Sequence, residues 1–308
     1  MTPFVKGPEF FKGHGTENDF VVLPDPEARL DLTAERVAAL CDRRRGLGAD
    51  GVLRVVRSAA LGFDGPEWFM DYRNADGSIA EMCGNGVRVF ARYLQGRGWA
   101  GGEVGTRAGV RSVTFEGDQV SVEMGPALVF GESVARVGGQ EFAGIAVDVG
   151  NPHLACVTGA DIGGLDLTVA PWRDVELFPN GANVEFVEQV PGDGARHADG
   201  ARGVDHRYGP VAMRVHERGV GETRSCGTGT VAAALASLRA AGRSDGRLAV
   251  DTPGGRLEVT VRDGGASTAL HGPAVLVAHG ELAADWWRAA DPQTGGQRVE
   301  NVGHSTSR

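Results

Sequence analysis

Two cysteines share one unusual sequence context. Residues 83–86 read Cys-Gly-Asn-Gly and residues 226–229 read Cys-Gly-Thr-Gly, so the pattern CGxG occurs twice. Apolar residues then recur at helical spacing, at Val87, Phe90, Ala91 and Leu94 in one copy and at Val231, Leu235 and Leu238 in the other. The spacing predicts a helix in each copy, ending near Gly96 and Gly242. Each cysteine is therefore predicted at or just before a helix N-terminus.

The predicted position gives the two thiols a specific chemistry. A helix start carries unpaired backbone N–H groups and about half a positive charge, and both favour anions such as a thiolate or a carboxylate. Cysteine pKa values fall there from about 8.5 to roughly 3.5–7.5 in favourable cases. A cavity between two such helix starts would offer an acid, a base and carboxylate-binding amides. Inversion of a carbon next to a carboxylate requires these groups.

The segments around the two cysteines repeat as well. Strand-like runs precede them at residues 68–72 and 211–216, and hairpin patterns follow at residues 113–122 and 257–265. The chain is therefore predicted to contain two copies of one α/β unit.

The two remaining cysteines are predicted to be core residues. Cys41 lies four residues after Val37 on the apolar face of a helix predicted from Thr33 to Gly46, and Cys156 lies in a strand-like run. The four cysteines are too far apart for a CxxC pair or a local zinc knuckle, and no histidines show ligand spacing. We expect no metal.

Composition narrows the class of protein. The chain has 308 residues, enough for about two domains, and its formal net charge is −9. Nucleic acid is an unexpected partner because duplex binding needs a cationic surface. No apolar run is long enough to span a bilayer, and the first fifteen residues lack an apolar signal core. We therefore expect a cytoplasmic protein with no membrane partner.

Lysine usage argues against two large enzyme classes. The sequence contains only Lys6 and Lys12, both near its start. A pyridoxal phosphate Schiff base has few candidate residues, and no GxxxxGK[ST] phosphate loop is present.

Six sequence phrases, in order, make the chain similar to the diaminopimelate epimerase family from about His14 to Trp287. They begin at His14 (HGTENDFV), Arg73 (RNADGS), Cys83 (CGNGVR), Gly150 (GNPH), Asn180 (NGANV) and Glu217 (ERGVGETRSCGTG).

The resemblance implies roles for individual residues. Cys83 and Cys226 are implied to be the catalytic pair, one thiolate and one thiol on opposite faces of the reacting carbon. Substrate-binding positions are implied at Asn18, Asn74, Gly84, Asn85, Asn151, Asn183, Glu217, Arg218, Gly227 and Thr228. His153 and Glu217 match residues that tune the thiols. Arg218 suits a distal carboxylate and Glu217 a distal ammonium group.

The resemblance also implies a fold and a reaction. The implied fold is of the α/β (α+β) class, with two pseudo-symmetric domains. Each domain is a mixed, mainly antiparallel sheet curled around a central helix, and the active site lies in the interdomain cleft. We expect domains at residues 1–137 and 138–288 and a disordered tail at 289–308. The implied enzyme is a homodimeric isomerase without cofactor. It interconverts LL- and meso-2,6-diaminoheptanedioate for lysine and peptidoglycan precursor synthesis.

Some positions depart from the family pattern. Many relatives read GLGND where residues 15–19 read Gly-Thr-Glu-Asn-Asp, and many have Gln in place of Gly51. A stretch rich in Gly, Asp, Arg and His at residues 191–210 is expected to be a mobile surface insertion. The Arg43-Arg44-Arg45 run is expected at a solvated helix end, and Trp286-Trp287 in packing or a dimer contact.

Two other functions remain open from the sequence. A related cysteine-pair racemase acting on proline or hydroxyproline predicts a small apolar pocket without distal charged partners, which Asn183, Glu217 and Arg218 argue against. A dithiol redox or ligand-binding protein predicts a disulfide as its working state. The sequence does not distinguish which thiol would be ionised at rest.

Overall fold

The computed structural model describes residues 5–189 and 210–291. The expected insertion at 191–210 lies outside the described residues apart from Pro210, and so does the expected tail from residue 292 onward. Residues 289–291 are described, and Ala289 is the last residue of the final helix.

The first run of elements leads to the Cys83 helix and beyond it. It comprises β1 (Lys6–Gly15), β2 (Asn18–Pro24), α1 (Ala34–Cys41), β3 (Gly51–Arg57), β4 (Trp68–Asn74), α2 (Gly84–Gly96), β5 (Gly102–Thr106), β6 (Gly109–Glu116), β7 (Gln119–Gly125) and β8 (Leu128–Val137). A 3-10 turn at Ser58–Leu61 follows β3.

The second run contains the Cys226 helix. It comprises β9 (Gln140–Asp148), β10 (Pro152–Thr158), β11 (Trp172–Arg173), β12 (Asn183–Gln189), β13 (Val211–Glu217), β14 (Gly221–Thr223), α3 (Gly227–Ala240), β15 (Gly246–Thr252), β16 (Gly255–Arg262), β17 (Ser267–Pro273), β18 (Val275–Ala283) and α4 (Ala284–Ala289). A 3-10 turn at Asp263–Gly265 lies between β16 and β17.

The two runs pair their strands in the same order and sense. One half follows β18-β1-β2-β3-β4-β5-β6-β7, with β2–β3 and β4–β5 parallel. The other follows β8-β9-β10-β12-β13-β15-β16-β17, with β10–β12 and β13–β15 parallel. All other pairs along these paths are antiparallel. The predicted α+β class, with its mixed and mainly antiparallel sheets, is confirmed.

The halves are joined by pairing between their equivalent strands and by an exchange of strands. β7 pairs with β17, which makes one continuous sheet from the described residues. β8 follows β7 along the chain but pairs with β9, and β18 follows β17 but pairs with β1. The domain division after residue 137 remains a prediction. This pairing favours counting β8 with the second unit and β18 with the first.

One helix lies at the centre of each half because its apolar side chains meet the curved sheet. Val87 and Phe90 of α2 and Val231 and Leu235 of α3 are fully buried and belong to one hydrophobic cluster. Burying a side chain of this size contributes about 1.5–3 kcal/mol. This packing fixes the position of the helix starts.

The region around α1 differs from its prediction. The helix spans Ala34–Cys41 and does not extend to Gly46, because Asp42 leaves helical geometry and closes the last turn. The predicted N-cap, Thr33, accepts a hydrogen bond from the Arg36 backbone. The Arg43-Arg44-Arg45 run is exposed just after the helix end, as predicted, and Arg43 also forms ion pairs with Asp19 and Asp50.

The remaining local predictions concern packing. Cys41 and Cys156 are buried, as predicted. Trp286 and Trp287 pack against the cluster around α1, and the Arg36 guanidinium lies over the Trp287 ring. In the described part of the chain, no helix combines the length and apolar character required to cross a bilayer.

Candidate active site

Both CGxG phrases line a single cavity of about 1000 Å³. The predicted site residues on its wall are Asn18, Asn74, Cys83, Gly84, Asn85, Asn151, Glu217, Arg218, Cys226, Gly227 and Thr228. The other two predicted residues, His153 and Asn183, lie buried behind the wall. The structure therefore brings residues from both halves of the sequence together.

Cys83 is the N-cap residue of α2. Its backbone is extended, and its Sγ accepts a hydrogen bond from the Gly86 N–H at 3.5 Å. The thiol donates to Oδ1 of Asn18, also at 3.5 Å. The cap leaves the N–H groups of the first helical residues without intrahelical acceptors.

Cys226 has the equivalent geometry on α3. It is the N-cap, its backbone is extended, and its Sγ accepts from the Gly229 N–H at 3.4 Å. Oγ1 of Thr228 lies 3.6 Å from the same sulfur. Both cysteines are free thiols in this structure. The predicted placement at helix N-termini is thus confirmed for both residues.

The predicted lowering of the thiol pKa values is wrong for this structure. Burial raises the pKa of the Cys83 thiol to about 11, and the Gly86 N–H opposes the rise. Burial also raises the pKa of Cys226 well above its usual range, with further raising by the carboxylates of Glu217 and Glu185. Desolvation of a thiolate outweighs stabilisation by the helix start, so both thiols are protonated near pH 7.

The two helix starts approach each other closely. A Cβ atom added at Gly227 would lie 3.3 Å from Cα of Gly84 and 3.5 Å from the Asn85 backbone nitrogen. Only glycines allow this approach without a side chain between the helices. The N–H groups at the first positions of both helices can converge on one anion, such as a carboxylate.

Asparagine side chains connect the two halves beside Cys83. Asn85 donates to Oδ1 of Asn18 and to the Ser225 carbonyl, each at 3.3 Å. Asn18 donates in turn to Asp50 at 2.8 Å. The Oδ1 atom of Asn85 is buried without a hydrogen-bond partner among the described residues. It therefore remains available to a ligand donor.

Asn74 and Glu217 occupy equivalent strand ends. Asn74 is the last residue of β4 and donates to Ser78 at 3.0 Å, while Glu217 is the last residue of β13 and accepts from the Thr223 hydroxyl. Burial raises the pKa of Glu217, and the hydrogen bond from Thr223 opposes that rise.

Arg218 is held at the cavity by its backbone and its side chain. Its N–H donates to Oδ1 of Asn183 at 2.9 Å, and its guanidinium donates to the Asn180 carbonyl at 3.1 Å. Asn183 therefore positions Arg218 from behind the wall.

His153 belongs to a buried chain of polar groups behind Cys226. Its Nδ1 lies 2.7 Å from Oε1 of Glu185, and its Nε2 lies 2.9 Å from Oδ1 of Asn151. His153 and Glu185 are both 0% exposed. Of the three hydrogen-bonded residues Asn151, His153 and Glu185, only Asn151 lies on the cavity wall.

Several residues of the site are not among those predicted from the sequence. Glu185 lies in a strand beside the start of α3, Tyr72 and Asp50 line the cavity, and Ser225 hydrogen-bonds Thr16 across the halves at 2.7 Å. Ser225 lies within the phrase that begins at Glu217, next to Cys226. No local pattern marked Glu185, Tyr72 or Asp50, because their neighbours in space come from distant segments.

At the mouth of the cavity, Glu17 forms an ion pair. Glu17 is one of the residues that depart from the family pattern. Glu17 has a φ angle of 63°, a left-handed conformation that favours glycine, and its carboxylate pairs with Arg224. The other departure, Gly51, contributes no side chain, and the ring of Tyr72 lies against it.

Among the residues that the structure describes, no group of three or more His, Cys, Asp or Glu side chains is placed to hold a metal ion. The arrangement can supply two thiols on one cavity, carboxylate-binding amides and side chains for further charged groups.

Comparison with known proteins gives sequence matches over most of the chain. The family model described as diaminopimelate epimerase matches residues 10–129 and 145–277. The chain is 53% identical over 302 residues to the diaminopimelate epimerase of Rhodococcus opacus, covering 91% of this chain and 98% of the relative. It is 53% identical over 304 residues to that of Mycolicibacterium smegmatis, with the same coverage.

Solved structures at low identity share the fold. A Bacillus anthracis phenazine biosynthesis protein of the PhzF family has a TM-score of 0.64 at 14% identity, covering 90% of this chain and 99% of that one. A probable proline racemase from Agrobacterium radiobacter has a TM-score of 0.62 at 16% identity, covering 95% and 96%. At these identities, the similarity supports the two-fold repeated α+β architecture alone.

Proposed function

The chain belongs to the diaminopimelate epimerase family, and we propose that it interconverts LL- and meso-2,6-diaminoheptanedioate with Cys83 and Cys226 as the acid/base pair. Family membership makes the chain an isomerase. The observation that carries the mechanism is the placement of two equivalent N-cap cysteines on one cavity.

In the proposed reaction, the thiolate of one cysteine removes the α-proton and the thiol of the other delivers a proton to the opposite face. The roles exchange with the stereochemistry of the substrate, and no atoms are gained or lost. The amides of Gly84, Asn85, Gly227 and Thr228 hold the reacting carboxylate and stabilise the charge that develops when the proton leaves. Strong, desolvated bases suit this step because the α-proton is weakly acidic.

The working thiolate must form when the substrate binds. Burial raises the pKa values of both thiols in this structure. The substrate brings an ammonium group beside the reacting carbon, and a positive charge within a few ångströms lowers a thiol pKa. We propose that the cleft closes around the substrate at the same time and excludes water.

The distal end of the substrate is assigned to the charged side chains of Arg218 and Glu217 on the cavity wall. Arg218 binds the distal carboxylate and Glu217 the distal ammonium group, with support from Asn74, Asn151 and Asn183. A proline racemase would leave these charged residues without ligand partners, which favours the longer dicarboxylic substrate. A dithiol redox function would instead make a disulfide the working state.

Solvent deuterium exchange tests the function directly. The protein is incubated with LL-diaminopimelate in D2O, and loss of the α-proton signal is followed by NMR while product stereochemistry is measured. We expect exchange and inversion by the unmodified protein. Cys83→Ala and Cys226→Ala should each lose inversion, whereas Cys156→Ala, which removes a buried thiol elsewhere, should retain it.

Normal turnover by either active-site variant would refute the two-base assignment. Oxidation of the protein separates the redox alternative. A thiol acid/base pair loses epimerase activity on oxidation and regains it on reduction, whereas a redox protein works through its disulfide.

We further propose a cytoplasmic homodimer that requires no cofactor. Exposed apolar side chains on β18, including Val275 and Val277, support an interface on that strand. Sedimentation velocity should give twice the chain mass, and a monomer at micromolar concentration would contradict the dimer.

A further inference from the structure

The ring of Tyr72 lies in a space that only glycine at position 51 leaves open. In the β3–β4 pair, Tyr72 is opposite Leu53 and Asn74 is opposite Gly51, so side chains at these positions share one face. A Cβ atom at Gly51 would lie 2.8 Å from Cε2 of Tyr72 and 2.5 Å from the Arg73 carbonyl oxygen. The tyrosine ring therefore covers Gly51 closely.

Apolar contact fixes the ring from its other side. The Phe20 ring meets Tyr72 edge to face, with centroids 5.9 Å apart and an interplanar angle of 79°. The orientation of the phenol is thus set by ring packing. The hydroxyl is not required to hold it in place.

The tyrosine lines the cavity that also contains Cys83 and Cys226. In the parts of the chain that the structure describes, its hydroxyl has no hydrogen-bond partner, although the backbone carbonyl of Tyr72 accepts from Ala80 and Arg107. Tyr72 is partly exposed and lines the cavity, so its hydroxyl can be reached by a bound ligand. A phenol can either donate or accept, so a bound ligand can satisfy it.

Acidic groups share the cavity wall with the phenol. Burial raises the pKa of Tyr72, and Cys83, Glu217 and Asp50 raise it further in that order. The phenol therefore stays neutral at physiological pH. The carboxylates of Glu217 and Asp50 favour a cationic ligand group, and the phenol oxygen can accept a hydrogen bond from an ammonium group.

We propose that Tyr72 is a substrate-binding residue whose hydroxyl hydrogen-bonds an ammonium group of the amino acid held beside Cys83. This inference rests on the proposed function. It assigns to Tyr72 the polar contact on this wall that Gly51, lacking a side chain, does not provide.

The test compares Tyr72→Phe with Tyr93→Phe. The first variant removes the cavity hydroxyl and keeps the ring against Gly51 and Phe20. The second removes a hydroxyl at a buried ring that packs on Phe11 outside the cavity wall. Initial rates with LL-diaminopimelate give kcat and KM, and thermal unfolding reports on the fold.

We expect Tyr72→Phe to lower kcat/KM at least tenfold, mainly through KM, because a hydrogen bond to a charged group is worth this factor or more. Its melting temperature should stay within about 2 °C of that of the unmodified protein. A larger shift would correspond to a change of about 1 kcal/mol or more in the free energy of unfolding. Tyr93→Phe should leave kcat/KM unchanged within twofold.

Four outcomes would overturn the assignment. A kcat/KM for Tyr72→Phe within twofold of the unmodified protein removes the substrate contact. An equal loss in Tyr93→Phe, or a loss accompanied by a lower melting temperature, assigns the effect to packing. If the unmodified protein fails to exchange the α-proton, both this inference and the proposed function fall, whereas exchange with an unaffected variant overturns only the inference.

Discussion

At the scale of single residues, the protonation of the two thiols is the central feature of the site. Cys83 and Cys226 accept hydrogen bonds from backbone N–H groups, yet burial raises both pKa values. Glu185 adds to this effect at Cys226, because its carboxylate is buried and its Oε2 has no partner among the described residues. The resting site therefore holds two strong potential bases in their protonated form.

Replacing Glu185 by Gln should lower the thiol pKa of Cys226. The carboxylate is negative and raises this pKa, so its removal shifts ionisation of the thiol to lower pH. Cys41 also lines the cavity, so iodoacetamide alkylation is followed against pH in a Cys41→Ala/Cys83→Ala background, where Cys226 is the cavity thiol measured. We expect the pH midpoint to fall in the variant, and an unchanged or higher midpoint would contradict the electrostatic role of Glu185.

At the scale of elements, glycines allow the helix starts to pack around the cysteines. Gly229 lies in the first turn of α3 beside the buried Glu185. A Cβ atom there would lie 2.6 Å from Oε1 of Glu185 and 3.3 Å from Sγ of Cys226. The site has no room for even one methyl group without a shift of a buried carboxylate or of the thiol.

Gly229→Ala should therefore be destabilising and should impair catalysis. Overpacking a buried position costs about 1–3 kcal/mol, and displacement of the sulfur should lower kcat by at least tenfold. Urea unfolding and initial rates measure the two effects. Gly96→Ala, at the other end of α2 where a Cβ meets nothing within 4 Å, is the control and should leave both quantities close to those of the unmodified protein. Unchanged activity in Gly229→Ala would show that the helix start tolerates the shift.

At the scale of the whole molecule, the exchange of strands makes each half depend on the other. β18 pairs with β1 over most of its length, and its residue Leu282 is buried in the cluster around α1. β8 plays the equivalent part for β9. The cavity lies between helices that neither half could position alone, because the β7–β17 pairing holds the halves together.

A chain shortened to end at Ala274 should consequently fail to fold. The truncation removes β18 and α4, which uncovers the edge of β1 and part of the apolar cluster. We expect insoluble protein or a melting temperature lower by more than 10 °C. A chain ending at Asp291 keeps both elements and serves as the control. Soluble, active protein from the shorter chain would show that β18 contributes little to stability.

The sequence alone determined the features that depend on local pattern. Helical spacing after each CGxG phrase located α2 and α3, with the second helix ending at Ala240 instead of Gly242. The repeated order of elements indicated duplication, and the six phrases identified the family. These predictions succeeded because helix periodicity, caps and turn residues act over a few neighbouring positions.

Only the tertiary structure decided what depends on contacts between distant segments. It showed that both cysteines line one cavity, that strands exchange between the halves, and that Tyr72 covers Gly51. It also reversed the expected direction of the thiol pKa values. A helix start can be recognised from its own residues, but the desolvation of a thiol depends on every element that closes around it. That burial exists only in the assembled fold.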